Sequence, residues 1–278
     1  MLGFQILNSC LDRGADVHAI VRNKEAIINR IGKSVEKNLH VVDDIKRTDK
    51  LDSLLSEINP DYVINCVGIV KQSHLSQEYV EAITINSLLP HQLQLLGQKY
   101  GFRLIHISTD CVFDGKNGGY KESDLPNASD LYGRSKLLGE VGYGCGITIR
   151  TSIVGHELSG STHGLLEWLL AQTGTVKGYR KAIFSGLTTL ELTKIILDVI
   201  IPSNLASGLY QISSEPISKY DLISMIAEIY NKQIEIVPSD DLVINRSLDG
   251  GRFQEITNYV APAWRNQIID MKSNFNQH

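Results

Sequence analysis

Two groups of polar residues in the middle of the chain have the types and spacing of a proton-transfer site. Ser108-Thr109-Asp110 ends an apolar run at 103–107, and Tyr132 and Lys136 follow in the pattern Tyr-x-x-x-Lys. Residues four apart on a helix share one face, so the phenol and the ammonium can point at one spot. We expect the ammonium to favour phenolate and so to lower the pKa of Tyr132 into a range useful for acid or base catalysis. Such a site suits the interconversion of carbonyl and alcohol groups.

The Tyr-x-x-x-Lys pattern is weak evidence when taken alone. The chain contains 11 tyrosines, and Tyr132 is the one with Lys four residues later. One such match can arise by chance. The motif gains weight because a hydroxyl-bearing segment at a strand end precedes it.

Composition and charge narrow the class of protein. The chain has 278 residues, 42% of them hydrophobic and 21% charged, with a net charge of −4. These values fit one large or two unequal globular domains. No basic run suggests nucleic acid binding, and the longest apolar stretch, near 195–201, is interrupted by Asp198. The start of the chain has no signal-peptide pattern. We therefore expect a cytoplasmic protein without nucleic acid or membrane partners.

Cysteine and histidine spacing indicates neither disulfides nor a metal. The four cysteines are scattered and form no Cys-x-x-Cys pair, and the histidines lack metal-ligand spacing. We expect reduced thiols and no bound metal ion.

The first half of the chain alternates short apolar runs with amphipathic segments. The predicted strands are 17–21, 39–42, 62–66, 103–108 and 147–150, and the predicted helices are 25–31, 51–58, 87–100 and 131–141. Apolar strands that alternate with helices indicate an α/β fold, a Rossmann-like doubly wound parallel sheet. Ligands of such sheets bind at the carboxyl ends of the strands, where Ser108-Thr109-Asp110 and Asn65-Cys66-Val67-Gly68 lie.

The pattern changes after residue 151. A Gly/Ser loop at 159–164 is followed by predicted helices at 164–172, 189–200 and 219–231 and strands at 208–213 and 235–237. We divide the chain into a dinucleotide-binding domain at 1–150, with parts of 186–214, and a smaller C-terminal substrate lobe at 151–185 and 215–278.

Three motifs together resemble a known family. Ser-Thr-Asp-Cys-Val-Phe-Asp-Gly at 108–115, Tyr120-Lys121-Glu122 and Leu-Tyr-Gly-Arg-Ser-Lys-Leu-Leu-Gly-Glu at 131–140 resemble the dTDP-4-dehydrorhamnose reductase branch of the extended short-chain dehydrogenase/reductase superfamily. The similarity runs over nearly the whole chain and includes Ile-Arg-Thr-Ser at 149–152. It is specific for the branch and not for one sugar.

The resemblance implies an NADPH-dependent reductase of a nucleotide-linked 4-keto-6-deoxysugar that serves surface polysaccharide synthesis. Thr109, Tyr132 and Lys136 match the catalytic triad of the family. In this interpretation hydride reaches C4 while Tyr132 protonates the forming alkoxide. Lys136 holds the nicotinamide ribose, and Thr109 donates a hydrogen bond to the same oxygen.

Further positions match the cofactor site of the family. Arg22 stands where NAD-preferring enzymes usually have an acidic residue, and it can pair with a 2′-phosphate, so we expect NADPH, with NADH as the alternative. Asp44 and Ile45 match positions that flank the adenine, and Val67 and Gly68 match the wall against the nicotinamide half.

Asn86 has two interpretations that the sequence leaves open. It matches the helix Asn of the family that supports the proton relay, and it would equally suit the N-cap of a helix at 87–100. The two roles are compatible.

The clearest departure from the family pattern lies at the start of the sequence. The family opens with a strand and a Gly-x-x-Gly-x-x-Gly turn, whereas Met1-Leu2-Gly3 matches only the end of that turn, with Gly3 as its last glycine. The first strand is missing from this sequence. A central strand buries apolar side chains that contribute roughly 10 kcal/mol, comparable to the stability of a domain. Without that strand we expect weak cofactor binding.

A second departure concerns the substrate. Cys111 stands where the branch usually has Tyr after Ser-Thr-Asp, so Asp110 and Cys111 are expected to face a substrate whose identity stays open. The related 4,6-dehydratases have Asp-Glu at these two positions as an acid and base pair. Cys111 in place of Glu favours simple reduction over dehydration.

The second lobe should hold the nucleotide diphosphate. Arginine is a natural phosphate partner, so Arg246 and Arg252 are candidates, each with a surface ion pair as the alternative. His163 lies next to Gly164 at a predicted helix start and is a further candidate.

Two alternatives to a reductase remain open. One is a nucleotide-sugar epimerase of the same superfamily, which would keep its cofactor tightly bound. The other is a non-catalytic binding subunit, because the regulatory subunit of methionine adenosyltransferase resembles the same branch. The expected small-molecule partner is a nucleotide-diphosphate sugar, and a homodimer is left open.

Overall fold

The computed structural model describes residues 1–42, 44–70, 78–157 and 163–277. Most of the loop predicted at 159–164 therefore lies outside the described residues.

The first half of the chain alternates helices with short strands. Its elements are α1 (Leu2–Asp12), β1 (Ala19–Val21), α2 (Lys24–Ile31), β2 (Leu39–Val41), α3 (Thr48–Ile58), β3 (Tyr62–Asn65), α4 (Tyr79–Ala82), α5 (Leu89–Tyr100), β4 (Arg103–Ile107), α6 (Leu131–Leu138) and β5 (Gly146–Arg150). A π-helical turn, Ile83–Leu88, joins α4 to α5, and short 3₁₀ helices span Lys33–Asn38 and Asp110–Val112.

The second half mixes shorter strands with helices. Its elements are β6 (Ile153–Val154), α7 (Leu165–Ala171), β7 (Thr175–Tyr179), β8 (Ala182–Phe184), β9 (Leu187–Thr188), α8 (Thr189–Lys194), α9 (Ile201–Ser203), β10 (Gly208–Gln211), β11 (Ile217–Ser218), α10 (Lys219–Ile229), β12 (Glu235–Ser239), β13 (Ile244–Asn245), α11 (Gly251–Thr257) and α12 (Trp264–Gln277). A second π-helical turn, Ile195–Ile200, joins α8 to α9.

The central sheet is parallel and covered on both faces. Its four strands run in the order β10-β5-β4-β3, and β1 and β2 form a separate parallel pair. Ile105 and Ile147 pack on one face with residues of α1 and α8, while Leu104 packs on the other face with residues of α3 and α5. All five residues of β5 are buried, as expected for a strand between two helical layers. The predicted α/β fold with a parallel sheet is confirmed.

The C-terminal segments build a second core. Leu166, Leu222 and Trp264 are among its buried residues, and β7 with β12 and β8 with β11 and β13 form two small sheets beside it. In the part of the chain that the structure describes, no helix is both long and apolar enough to cross a membrane.

Two helix boundaries differ from the prediction. The helix predicted at 87–100 begins at Tyr79 and runs through the π-helical turn, and the helix predicted at 131–141 ends at Leu138. Gly139 caps the end of α6 and lies against the backbone carbonyl of Asn86, where a Cβ atom would collide with the oxygen. The missing side chain allows the two helices to approach closely.

A buried ion pair ties α6 to the ends of two strands. Arg150 at the end of β5 donates two hydrogen bonds of 2.8 Å to the carboxylate of Glu140, just after α6. The hydroxyl of Ser108, after β4, donates to the same carboxylate at 2.8 Å. The side chains of Arg150 and Glu140 are only 3% and 10% exposed. This bidentate pair therefore fixes three segments that border the predicted catalytic residues.

We predict that Arg150→Met destabilises the fold by about 3–5 kcal/mol, because it leaves the carboxylate of Glu140 buried without its partner. The measurement is the free energy of unfolding in urea. Arg265→Met is the matched control, since Arg265 pairs with Glu228 at the surface, where solvent screens the pair, and its loss should cost far less than the loss of Arg150. Equal losses in the two variants would contradict the role given to the buried pair.

Candidate active site

Helix α6 presents Tyr132 and Lys136 on consecutive turns. The side chain of Asp130 accepts a hydrogen bond of 2.8 Å from the backbone N–H of Gly133, which caps the helix start. Gly133 lies against the carbonyl of Cys111, and a Cβ atom there would collide with that oxygen. The cap and this close approach hold the first turn of α6 against the 3₁₀ helix Asp110–Val112.

Thr109 occupies the carboxyl end of the central sheet, directly after β4. Its hydroxyl accepts a hydrogen bond of 3.1 Å from the N–H of Cys111 and donates to a carboxylate oxygen of Asp110 at 3.2 Å. Thr109 also lies close enough to the phenol of Tyr132 to lower its pKa. Two of the three predicted catalytic groups are therefore neighbours.

The pKa of Tyr132 is raised, which differs from the lowering expected from its spacing to Lys136. Burial of the phenol is the main cause, and the neighbouring Cys111 and Asp110 add to it, while the hydrogen bond from Thr109 opposes it. Tyr132 is therefore protonated at neutral pH. A protonated phenol suits the role of proton donor better than that of proton acceptor.

Lys136 is buried beneath the same edge of the sheet. Its side chain is 5% exposed, and its Nζ donates to the carbonyl of Ile107 at 2.6 Å. Burial lowers the pKa of Lys136 to about 8, and Glu140 and Cys66 oppose this effect. The amine is held at one position by the end of β4.

Asn86 connects the π-helical turn to two other predicted site segments. Its Oδ1 accepts from the N–H of Ile69 at 2.8 Å, and its Nδ2 donates to the carbonyl of Ile69 and to Ser135 Oγ, each at 3.1 Å. Asn86 lies inside the helical segment 79–100, so the N-cap interpretation is wrong. The reason is that the helix begins at Tyr79, seven residues before Asn86.

Gly68 lies next to this cluster. A Cβ atom on Gly68 would be 3.5 Å from Asn86 Oδ1 and 3.9 Å from Lys136 Nζ. Gly68 is exposed, as is Val67 beside it. The structure thus brings the exposed backbone of Gly68 next to the buried side chains of Asn86 and Lys136, and the missing side chain of Gly68 allows a flat ring to approach that backbone.

The remaining cofactor candidates follow the neighbouring strands. Arg22 is exposed directly after β1. Asp44 accepts from the N–H of Lys46 at 3.0 Å, and Ile45 packs on the core beneath α3 and α5. Gly3 lies in the first turn of α1, where its Cβ position is 3.4 Å from Cys66 Cβ.

Arg246 is the substrate candidate that lies near Asp110 and Cys111. It donates from Nε to the carbonyl of Phe113 at 2.8 Å, and its charge lowers the pKa values of Asp110 and Cys111. Burial outweighs this effect, so the pKa of Asp110 is raised and that of Cys111 rises to about 12. Lys219 also faces Asp110, and the sequence analysis missed it.

Arg252 lies away from the catalytic cluster, and His163 precedes α7. Arg252 donates to the carbonyl of Leu209 at 2.9 Å and stacks over the ring of Tyr210, so its described contacts are with β10 and do not involve the catalytic cluster. His163 is exposed just before α7. Among the described residues, no group of three or more His, Cys, Asp or Glu side chains could hold a metal ion.

Three further residues at this site were not singled out from the sequence. His106 in β4 is fully buried within 3.5 Å of Lys136 Nζ, and Asn65 at the end of β3 contacts the other side of the same ring. Glu140 is one turn beyond Lys136. A histidine within an otherwise apolar strand was the signal that could have pointed to this cluster.

The chain was compared with known proteins. The family model of the RmlD substrate binding domain matches residues 1–276. The probable low-salt glycan biosynthesis reductase Agl14 of Haloferax volcanii is 39% identical over 103 residues, 37% of this chain and 34% of that protein. A dTDP-4-dehydrorhamnose reductase of Aggregatibacter actinomycetemcomitans is 27% identical over 208 residues, 70% of each chain.

Known structures give the same result for the fold. The structure of dTDP-4-dehydrorhamnose reductase from Bacillus anthracis in complex with NADP has a TM-score of 0.74 at 20% identity, covering 87% of this chain and 95% of that one. Among the sequence relatives, the match covers about a third of the length of the Haloferax volcanii protein and 70% of the length of the Aggregatibacter actinomycetemcomitans protein. The family model covers nearly all of the chain, and the chain therefore belongs to the dTDP-4-dehydrorhamnose reductase family of the extended short-chain dehydrogenase/reductase superfamily.

Proposed function

We propose that the protein is an NADPH-dependent reductase of a nucleotide-linked 4-keto-6-deoxysugar. The placement of Thr109 at the end of β4 near the phenol of Tyr132, with Lys136 on the next turn of the same helix, carries this proposal. A hydroxyl, a protonated phenol and a buried amine at one strand end form a set of groups suited to protonating a carbonyl oxygen as it becomes an alkoxide.

Tyr132 acts as the acid in this proposal. Its raised pKa keeps the phenol protonated at neutral pH, and an alkoxide is basic enough to take that proton. The hydroxyl of Thr109 stabilises the negative charge on the same oxygen while it develops. In this role Thr109 turns its proton from Asp110 Oδ1, 3.2 Å away, to the substrate oxygen.

The residues present fit the nicotinamide half of NADPH. Gly68 leaves the space that a Cβ would fill beside Asn86 and Lys136, and Lys136 is held where it can bond a ribose hydroxyl. NADPH supplies the hydride when it is bound. Arg22, exposed after β1, would pair with the 2′-phosphate, and Asp44 and Ile45 would flank the adenine.

The residue pair at 110 and 111 supports reduction over dehydration. A dehydratase needs an acid and a base at this point, and the thiol of Cys111, with a pKa near 12, stays protonated at neutral pH. Arg246, facing Asp110 and Cys111, is the proposed contact for the substrate diphosphate. Arg252 is a weaker candidate because its guanidinium is bonded to Leu209.

We predict that Tyr132→Phe lowers kcat by roughly 10²–10⁴-fold, because the variant lacks the proton donor. The measurement is NADPH oxidation with a panel of dTDP- and UDP-linked 4-keto-6-deoxysugars, together with the melting temperature and NADPH affinity. Tyr143→Phe, which alters a tyrosine bonded to His91 at the surface, is the matched control.

The proposal requires that Tyr132→Phe retain the melting temperature and NADPH affinity of the unmodified protein, and that Tyr143→Phe keep full activity. Unchanged turnover in Tyr132→Phe would refute the role of the phenol. Cofactor that copurifies with the protein and is not consumed during turnover would favour the epimerase alternative.

We predict that Arg22→Asp raises the KM for NADPH by roughly tenfold or more and leaves the KM for NADH within about twofold, because an Arg–phosphate pair is lost. Steady-state kinetics with both cofactors measures this. Lys24→Asp, two residues away, is the control for a general change in surface charge. Equal effects on the two cofactors would contradict recognition of the 2′-phosphate by Arg22.

A further inference from the structure

A chain of three buried polar side chains runs beneath the proposed active site. Asn65 Nδ2 lies 3.1 Å from His106 Nδ1, and His106 Nε2 lies 3.5 Å from Lys136 Nζ. The three side chains are 3%, 0% and 5% exposed. Each belongs to a different element, β3, β4 and α6, so the fold itself aligns them.

The hydrogen bonds of Asn65 determine which nitrogen of His106 carries the proton. Asn65 Oδ1 accepts from the backbone N–H of Val67 at 3.0 Å, so the amide nitrogen must be the group that faces the ring. The reversed amide would place two donors against each other at Val67. Because Asn65 donates to Nδ1, that nitrogen has no proton, and the neutral ring carries its proton on Nε2.

The Nε2–H group therefore points at the amine of Lys136. An ammonium has three donors and no lone pair, so it cannot accept this hydrogen, whereas a neutral amine can. The carbonyl of Ile107 satisfies one hydrogen of the amine in either state. The ring therefore favours the neutral amine over the ammonium.

We propose that His106 is a positioning residue that acts through Lys136: Asn65 fixes the Nε2–H tautomer, and this tautomer adds to burial in favouring the neutral amine of Lys136. The proposal deepens the proposed function, on which it rests for the catalytic use of Lys136. An amine that changes charge near neutral pH can return a proton to the Tyr132 phenolate and take one from solvent before the next turnover.

Other groups around Lys136 also shift its pKa. Glu140 and Cys66 raise the pKa of Lys136, and burial, the larger effect, lowers it to about 8. Burial also lowers the pKa of His106 well below its ordinary value, and Lys136 and His91 lower it further. His106 is therefore neutral near pH 7, as the tautomer argument requires.

The first test is ¹⁵N NMR of the histidine rings in the protein without cofactor or substrate. We expect the signals of His106 to show a protonated Nε2 and an unprotonated Nδ1 from pH 6 to pH 9. The signals are assigned by their loss in His106→Gln, and His18→Gln is the control for the assignment. A protonated Nδ1 or a charged ring in this range would overturn the proposal.

The second test reverses the direction of the hydrogen bonds that join Asn65, His106 and Lys136. Asn65→Asp has no N–H to donate, so Nδ1 of His106 must carry the proton, and Nε2 can then accept from the ammonium. We expect the pKa of Lys136, followed by ¹³C NMR of labelled lysine Cε, to rise by at least roughly one unit. His106→Gln, whose amide oxygen can face the ammonium, should also raise this pKa, and it serves if Asn65→Asp does not fold.

A role for His106 in packing alone predicts that His106→Gln, which adds no charge near Lys136, lowers thermal stability without raising the pKa of Lys136, and that result would overturn the proposal. Both measurements use the protein without turnover. An inactive protein that shows the expected tautomer and pKa rise would therefore refute the proposed function and leave this tautomer and its effect on Lys136 in place. Normal turnover of the unmodified protein, together with no rise in the pKa of Lys136 in the variants, would refute this inference and leave the proposed function in place.

Discussion

The structure depends on the burial of one amine at the end of strand β4. Lys136 places its Nζ 2.6 Å from the carbonyl of Ile107, below the carboxyl edge of a parallel sheet. A buried cation is costly unless it is bonded, so the segments around it must stay in place. Gly139 brings α6 against the π-helical turn, and the pair of Glu140 and Arg150 joins α6 to two strand ends.

This arrangement gives two neighbouring groups opposite electrostatic environments. Burial raises the pKa of Tyr132, so the phenol keeps its proton, and burial lowers the pKa of Lys136 toward neutral pH. Pairs of titratable groups whose pKa values are shifted in opposite directions are typical of acid and base assignments. The two groups whose pKa values are shifted in opposite directions therefore lie one helical turn apart.

Much of this could be predicted from the sequence because the signals are local. The spacing of Tyr132 and Lys136 places them on one helix face, and an apolar run before Thr109 identifies a strand end. The start of the helix at Tyr79 was missed because apolar periodicity assumes 3.6 residues per turn, and the π-helical turn around Asn86 interrupts that period. The raised pKa of Tyr132 was missed because its main cause, burial of the phenol, and the approach of Cys111 and Asp110 arise only in the folded chain.

Contacts between residues far apart in the sequence account for the remaining differences between the sequence predictions and the structure. Arg252 was a reasonable phosphate candidate by residue type, but the fold directs its guanidinium to Leu209 and Tyr210 of β10. His106 and Asn65 are paired in adjacent strands of the sheet, and only the packing of α6 on that sheet brings Lys136 to them.

The central claim is that the groups around Tyr132 direct hydride to a sugar carbonyl. The most direct test supplies NADPH carrying deuterium at the transferable position together with a nucleotide-linked 4-keto-6-deoxysugar, and then locates the label by mass spectrometry and NMR. The account predicts one deuterium at C4 of the product sugar. Retention of the label on the cofactor, or deuterium at any other carbon, would contradict it.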